Sequence, residues 1–437
     1  MIKKLTLLLL LLLPAQIAHA VSFEIKNEKI AKTKILFTGF DITNQTKQQE
    51  VTSIINHVQK NLQTTDLFES RTQIGENFTS IIGSNNDTPD FEYYFKNQIS
   101  AIIDGTVKIS SEGNLEITVK LWDILDEKPL FSKYYAASPS NYHKLANVLS
   151  DAIFTSLTGE KQGHFDTKIA YIAESGNIRN RKKRLAIISF DGKQHIYLTK
   201  GKNLVLTPII SKERKELIYL RYLDNKAQIH ALDFITGKNK KIGNFTGTTF
   251  AASLHPKDPD KMLVSVIKNG NSDIYELHVP SNYSKRLTTS RAIETTPSYS
   301  PDGKKIIYTS DISGSQKIYI MDANGKNIRK ISRNKGAYSK PIWSPDGSQI
   351  AFTKIYRNQF GIGLMRTDGS DEKIIAQGYV IEGAKFSPNG RYLIYSKQVS
   401  AYGRQSIPKL FTIDILTGHE YQIPTPRNEG ATDPDWQ

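Results

Sequence analysis

The sequence predicts two domains: a mixed α/β domain over residues 21–163, then over residues 164–437 a six-bladed β-propeller closed by the C-terminal strand. Three observations support this fold class. The second half of the chain repeats itself about every 44 residues, its last residues resemble the start of that repeat, and the first part instead carries apolar residues at helical spacing. Four short strands in about 44 residues are the period of a propeller blade.

The repeat is built on the pattern Ser-Pro-Asp/Asn-Gly. The position of its proline is occupied in turn by Lys212, Pro256, Pro301, Pro345 and Pro388, at steps of 43 to 45 residues. A second turn recurs as Asp-Gly, Asn-Gly or Thr-Gly in five units, for example at Asp368-Gly369. Tight hairpins need a positive φ, which glycine adopts without strain, so these pairs predict the hairpins of a four-stranded blade.

The ends of the repeat set the number of blades. The segment 44 residues before Lys212 is Lys168–Tyr171, which matches the second strand of a later blade at Lys305–Tyr308, so the first blade lacks its innermost strand. The final residues Asp433–Trp436 resemble Lys340–Trp343, which opens a later blade, and can supply that strand. This pairing removes an exposed sheet edge and predicts six blades. A seventh blade would have to precede the first copy, where no further repeat occurs.

The segment before the repeats has the pattern of a small mixed α/β domain. Apolar residues at i, i+3, i+4, i+7 and i+11 from Val51 predict one helix, and a similar stripe over Leu145–Ile153 predicts a second. Strands are predicted at Lys34–Phe40, Ile99–Ile109, Leu115–Leu125 and Leu130–Tyr135. The segment Gly159–Asp166 then joins this domain to the propeller.

The first twenty residues predict export. Lys3 and Lys4 precede an apolar run over Leu5–Leu13, and Ala18-His19-Ala20 has the small-x-small form of a cleavage site, so we expect cleavage after Ala20. About nine apolar residues are too few to span a bilayer, which takes roughly twenty. No later stretch reaches that length, and no cysteine is present for a lipid anchor. We therefore expect a soluble exported protein with no transmembrane segment in the mature chain.

The composition excludes several kinds of chemistry and limits the possible partners. The chain has 437 residues, a formal charge of +15 and no cysteine, which excludes disulfides, thiolate nucleophiles and cysteine-bound metals. Export makes nucleic acid an unsuitable partner for this basic chain, so anionic lipid, cell-wall polymer or an acidic protein surface are the candidates beside simple solvation. The densest basic run, Arg179–Arg184, is either a solvated hairpin tip or a contact with such a surface.

Catalytic motifs do not occur in the sequence. It has no Gly-x-Ser-x-Gly, no His-Glu-x-x-His and no phosphate-binding loop, and its nine histidines show no ligand spacing. The acidic residues of the Pro-Asp-Gly repeats are explained by turns. We therefore expect no catalytic, cofactor-binding or metal-binding residue, with an enzyme and a free-standing propeller for a cell-wall ligand as the rival classes.

Strand order determines which loops share a face. In a blade whose strands run A to D from the channel outward, the A–B and C–D turns lie at one end and the B–C loops and D-to-A connections at the other. The second, variable face is the expected binding face. Its loops are Thr246–Phe250, Arg291–Thr296, Lys335–Lys340, Gly378–Gly383 and Lys397–Pro408. Aromatic side chains that would serve there as anchors, or as packing between blades, are Phe250, Tyr338, Tyr379 and Tyr402.

An exported chain with an α/β domain, six blades carrying Ser-Pro-Asp-Gly and a final Asp-Pro-Asp-Trp resembles the TolB family of the bacterial Tol-Pal system. The likeness covers nearly all of the mature chain. It implies a periplasmic, non-enzymatic adaptor of the Gram-negative envelope that supports outer-membrane integrity and constriction during cell division. We expect a monomer, and the resemblance leaves open whether calcium occupies the propeller channel.

The resemblance also implies two partner sites. The lipoprotein Pal would bind at the propeller mouth, on loops before inner strands, at Thr248, Thr249, Phe250, Glu294, Thr295, Thr296, Ser339 and Lys340. TolA would bind a mobile segment at the mature N-terminus that reaches about Lys32 and begins with Ser22, Phe23, Glu24, Ile25 and Lys26. The chain departs from the family pattern at Thr296, where an acidic residue is frequent, and in the third blade, which reads Ala-Ser-Leu-His-Pro-Lys.

Overall fold

The computed structural model describes residues 25–26, 29–42, 48–72, 88–177, 180–224, 226–398 and 407–437. Four predicted features lie outside these ranges: the signal peptide with its cleavage site after Ala20, the start of the TolA segment (Ser22, Phe23 and Glu24), Arg179, and Tyr402. None of the helices within the described ranges is long and apolar enough to cross a membrane.

The N-terminal domain is a five-stranded mixed sheet with two long helices. Its helices are α1 (Gln48–Gln63), α2 (Phe91–Lys96) and α3 (Tyr142–Thr158). Its strands are β1 (Ile25–Lys26), β2 (Lys29–Ile30), β3 (Thr33–Ile42), β4 (Phe68–Thr72), β5 (Ala101–Ile109), β6 (Leu115–Asp123) and β7 (Lys128–Ala137). The sheet order is β4-β3-β5-β6-β7, with β3 parallel to β4 and β5, while β1 and β2 form a separate two-residue hairpin. The predicted strands and helices are confirmed, and β1, β2, β4 and α2 are additional.

Helices α1 and α3 pack on each other through the predicted apolar stripes. Val51, Ile54, Val58 and Leu62 are buried in α1, as are Leu145, Leu149 and Ile153 in α3. A polar contact fixes their relative rotation, because Asn61 Nδ2 donates to Asn147 Oδ1 at 2.9 Å and to Ser150 Oγ at 3.0 Å. Since all three polar groups are buried, this contact specifies one register of the two helices.

The propeller has six four-stranded blades, as predicted. Blades 2 to 4 are β11 (Val205–Ser211), β12 (Glu216–Leu223), β13 (Lys226–Asp233), β14 (Asn239–Ile242); β15 (Thr248–Leu254), β16 (Lys261–Lys268), β17 (Asn271–His278), β18 (Tyr283–Arg286); and β19 (Glu294–Tyr299), β20 (Lys305–Ser310), β21 (Lys317–Asp322), β22 (Arg329–Lys330). Blades 5 and 6 are β23 (Ala337–Trp343), β24 (Gln349–Tyr356), β25 (Gln359–Arg366), β26 (Lys373–Gly378); and β27 (Val380–Phe386), β28 (Tyr392–Gln398), β29 (Lys409–Asp414), β30 (Glu420–Gln422).

Blade 1 is assembled from both ends of the propeller. Its outer strands are β8 (Lys168–Ser175), β9 (Lys182–Ser189) and β10 (Ile196–Tyr197), and its inner strand is the C-terminal β31 (Gly430–Trp436). Strand β31 runs antiparallel to β8, from Gly430 opposite Glu174 to Trp436 opposite Ile169. The predicted closure is therefore confirmed, and the ring is held shut by a main-chain ladder.

Trp436 anchors the closing strand. Its side chain is buried, its Nε1–H donates to Thr167 Oγ1 at 2.8 Å, and its ring stacks on Phe190 with the centroids 5.7 Å apart. Phe190 and Trp436 belong to the same hydrophobic cluster as Phe154 of α3. The residue that locks the ring thus also contributes to the core shared with the N-terminal domain.

The junction between the domains is fixed by buried polar contacts. The Asp151 carboxylate of α3 accepts the backbone N–H of Phe165 at 2.8 Å and of Asp166 at 2.9 Å. Burial raises the pKa of Asp151 to about 6, although these N–H donors act in the opposite direction. Arg391 of the blade 6 A–B turn joins the two domains, since it bonds to Asp414 in its own blade and to Glu160 beyond α3.

Replacing the anchor should weaken the whole ring. We expect Trp436→Ala to lower the free energy of unfolding by about 3–5 kcal/mol, the cost of removing a buried large aromatic side chain. Urea unfolding followed by circular dichroism measures this change.

Trp343→Ala is the matched control. Trp343 ends the inner strand of blade 5 at the equivalent position, but it is only partly buried and does not close the ring. It should lose less stability than Trp436→Ala, and an equal or larger loss in the control would contradict the special role of the closing strand.

Candidate functional site

Each inner strand bends at the same place. The pairing between strands A and B shifts register in all six blades, for example between Thr295 and Ser298. In five of them the residue at the shift has a left-handed backbone, with φ of 46°, 51°, 48°, 74° and 48° at Thr207, Thr296, Lys340, Gly383 and Asp433. This conformation costs a non-glycine residue about 1–3 kcal/mol, and such strain is concentrated at functional sites.

These bent positions line the channel. A cavity of about 110 Å³ on the propeller axis is bounded by residues from all six inner strands, with Thr207, Thr296, Lys340, Gly383 and Asp433 among them. Four of these five residues also border a larger cavity of about 500 Å³, which we call the mouth chamber. Its other lining side chains include Glu174, Arg181, Lys183, Tyr222 and Glu382. The chamber lies on the face of the B–C loops, which is the expected binding face.

An ion-pair cluster lies where the channel meets the mouth chamber. Lys340 Nζ lies 3.0 Å from Asp433 Oδ1 and 3.3 Å from Glu382 Oε2. Burial favours a lower pKa for Lys340, but the two carboxylates outweigh it and hold its pKa above the ordinary lysine value. Burial likewise opposes ionisation of Asp433, yet Lys340 holds the pKa of Asp433 below its usual range. Both groups are therefore charged at neutral pH.

Part of the basic run borders the same mouth chamber. Arg181 Nη1 and Lys183 Nζ lie 3.2 Å and 2.7 Å from the two oxygens of Glu174, which is buried. Arg184 pairs with Glu429, and its guanidinium lies 3.8 Å from the centroid of the Tyr197 ring. All three cations are thus paired with carboxylates or stacked on a ring, and Arg181 and Lys183 line the mouth chamber although Arg181 is still 42% exposed.

The structure places the predicted Pal residues in strands, whereas the sequence suggested loops. Thr248, Thr249 and Phe250 lie in β15, Glu294, Thr295 and Thr296 in β19, and Ser339 and Lys340 in β23. The inner strands begin several residues before their prolines, because the bulge interrupts the pairing without ending the strand.

Two of these predicted side chains are buried and hydrogen-bonded within the propeller. Thr249 is 3% exposed and donates to Ala227 O, and Glu294 is 3% exposed and accepts from Ser290 Oγ. Burial raises the pKa of Glu294. By contrast, Thr296 and Lys340 line both the channel and the mouth chamber. The side chain of Phe250 lies outside what the structure describes.

Of the proposed aromatic anchors, one is buried and another is exposed. Tyr338 is buried between blades and its hydroxyl donates to Glu372 Oε2 at 2.8 Å, so it is a packing residue. Tyr379 is 65% exposed beside the start of β27. Sequence reasoning missed Glu382 and Asp433. The sequence pattern does account for Arg181 and Lys183 at the mouth chamber, because the B–C connection of blade 1 opens on the binding face.

Removing the Lys340 charge from the channel should destabilise the fold. We expect Lys340→Met to cost about 1–3 kcal/mol, between the roughly 0–1 kcal/mol of exposed pairs and the 3–5 kcal/mol of broken buried ones. Asp433 has a lowered pKa when folded, so its contribution is present above its unfolded pKa of about 3.9 and is lost as pH falls further. The difference between wild type and variant should therefore shrink below about pH 4 in urea unfolding.

Lys305→Met is the control for this prediction. Lys305 pairs with Asp322 at an exposed position, and its loss should cost no more than about 1 kcal/mol. A Lys340→Met variant as stable as Lys305→Met at neutral pH would show that the channel cluster contributes no more than an exposed ion pair.

Comparison with known proteins identifies the family. Residues 21–130 match the TolB amino-terminal domain, and residues 154–437 match the TolB beta propeller domain. The Tol-Pal system protein TolB of Rickettsia canadensis is 36% identical over 420 residues, which cover 92% of each chain. The TolB proteins of Rickettsia prowazekii and Gluconobacter oxydans are 38% and 36% identical, over 80% of this chain and 80% and 76% of theirs.

A solved structure shows the same architecture. The crystal structure of TolB from Acinetobacter baumannii superposes with a TM-score of 0.80 over 93% of this chain and 96% of that one, at 22% sequence identity. Domain order, relatives matched along most of their length and fold agree with the expectation from the sequence. The chain belongs to the TolB family, a non-enzymatic component of the Tol-Pal system.

Proposed function

We propose that the protein is a periplasmic adaptor that binds Pal at the mouth chamber and TolA through its mature N-terminal segment. In this role it supports outer-membrane integrity and constriction during cell division, after export and cleavage behind Ala20. The observation that supports it most is the convergence of all six inner strands on one channel whose bent residues face the mouth. Binding residues held on such a rigid ring are positioned before the partner arrives.

The electrostatics of the mouth favour a protein partner. Three cations and three carboxylates line the mouth chamber, and the cations are already paired with carboxylates of the same chain. A polyanion or an anionic lipid surface would have to compete with those pairs. A folded protein with alternating charges can instead match them, which gives specificity more than affinity.

The described part of the N-terminal segment supports a role as a separate contact. Ile25–Lys26 pair with Lys29–Ile30 in a hairpin of their own, and that hairpin directly precedes β3 of the domain sheet. A segment that either docks on its own protein or extends to TolA couples the two partners only if Pal binds the two arrangements differently. TolA affinity should then change when Pal is bound, and equal affinities would rule out the coupling.

Capture from envelope extract tests the two sites together. The full mature chain should recover Pal and TolA, and a chain lacking residues 22–32 should recover Pal alone. Thr296→Arg should weaken Pal binding at least tenfold, because it places a long cation in the channel opening. Titration of purified Pal measures that change.

Lys326→Glu provides the matched control. Lys326 is exposed on the Asn324-Gly325 turn, at the opposite end of the blades, and its substitution should leave Pal binding unchanged. If Thr296→Arg binds Pal as well as wild type does, Pal does not use the mouth. If the chain retains peptidoglycan without Pal, it is instead a cell-wall-binding propeller.

A further inference from the structure

A second cluster of functional groups lies at the domain junction, on the face opposite the mouth. It consists of His57 on α1, His143 on α3 and Asp191 in the β9–β10 turn of blade 1. Asp191 Oδ2 lies 2.7 Å from His57 Nε2 and 2.5 Å from His143 Nε2. One donor atom from each residue can be chosen so that all three lie within 4.8 Å of one another. The domains therefore meet at two imidazoles and one carboxylate.

The three side chains are held by rigid elements. The side chains of His57, His143 and Asp191 are only 9%, 17% and 7% exposed. The helices that carry the histidines are fixed by the buried Asn61 contact described above. Asp191 Oδ1 accepts the Lys193 N–H at 3.1 Å, which leaves Oδ2 directed at the imidazoles. Such pre-organisation lowers the cost of binding a ligand there.

Hydrogen bonding within the described residues satisfies this cluster only in part, through the bond between His143 Nε2 and Asp191 Oδ2. Both histidines approach the same carboxylate oxygen with the same ring nitrogen. His57 Nε2 is buried and makes no hydrogen bond of acceptable geometry to any described residue, and His143 Nδ1 is likewise buried without a partner there. Buried polar atoms are usually paired, so an unpaired imidazole nitrogen aimed at a carboxylate calls for a further ligand.

We propose that His57, His143 and Asp191 bind one divalent zinc ion that joins the N-terminal domain to the first blade. Two imidazole nitrogens and one carboxylate oxygen form a zinc ligand set that leaves the fourth tetrahedral position for water. Imidazole donors favour zinc over calcium or magnesium, which prefer oxygen ligands alone. The proposal does not depend on Pal or TolA.

Binding requires only a small adjustment of the side chains. Zinc lies about 2.0–2.2 Å from nitrogen and oxygen ligands, which places tetrahedral donor atoms roughly 3.3–3.5 Å apart. Each imidazole would move back from Asp191 by less than about 1 Å, and donor atoms that now lie up to 4.8 Å apart would close to the tetrahedral spacing by rotation of the side chains. The ion would crosslink two elements of one domain and one of the other, and thereby stabilise the folded arrangement.

Zinc titration of the mature chain tests the proposal. After removal of metal with a chelator, zinc chloride alone should bind at one ion per chain in calorimetry and raise the melting temperature. Asp191→Asn and His143→Gln should each weaken binding by more than about tenfold, the lower end of what outer-shell changes cost. His278→Gln should bind as wild type does, because His278 lies in blade 3, where its imidazole bonds to Ser281.

Zinc-edge X-ray absorption on the wild-type chain keeps the test independent of variant folding. The zinc-loaded protein should show two imidazoles among its ligands. Absence of stoichiometric binding, zinc bound without imidazole, or unchanged affinity in folded Asp191→Asn would each overturn the proposal and leave the cluster as an ionic contact between the domains.

Discussion

The pairing of the C-terminal strand β31 with β8 is the interaction on which the rest of the structure depends. It completes blade 1 and converts six sheets into a ring, so that the six inner strands bend toward one axis. The closing strand also contributes to the site, because Asp433 lies at its bulge and holds Lys340 of blade 5 across the channel. The strand that closes the propeller therefore also supplies part of the mouth.

Ring closure also fixes the N-terminal domain. Trp436 belongs to the hydrophobic cluster that contains Phe154 and Phe165, and Asp151 holds the connecting backbone beside it. The α/β domain covers the turn face of the propeller, whereas the mouth faces the other way. The proposed partner site and the domain junction thus lie at opposite ends of the blades. A zinc ion bound by His57, His143 and Asp191 would strengthen the domain junction and would not obstruct the mouth.

Much of the fold could be predicted because short sequence patterns determine its turns, strands and helices. The Pro-Asp-Gly turns predict the blades, and the apolar stripes predict α1 and α3. Strand β4 was missed because Phe68–Thr72 is a short edge strand in which polar residues follow one phenylalanine. The sequence predicts loops before the inner-strand prolines where the structure has strands, because proline and small polar residues are typical of turns and the left-handed residue inside the strand leaves no separate signal. Lys340 and its partners are 42 and 93 residues apart, a separation that no local pattern reveals.

Native-state hydrogen exchange tests most directly whether the closing strand makes the six blades one unit. In the full chain, inner-strand amides of all six blades should exchange with one common free energy, since opening anywhere breaks the same ring. Removal of residues 430–437 should lower that protection in every blade. If protection falls only in blade 1 and its neighbours while the other blades keep theirs, the blades are independent sheets and the closing strand does not couple them.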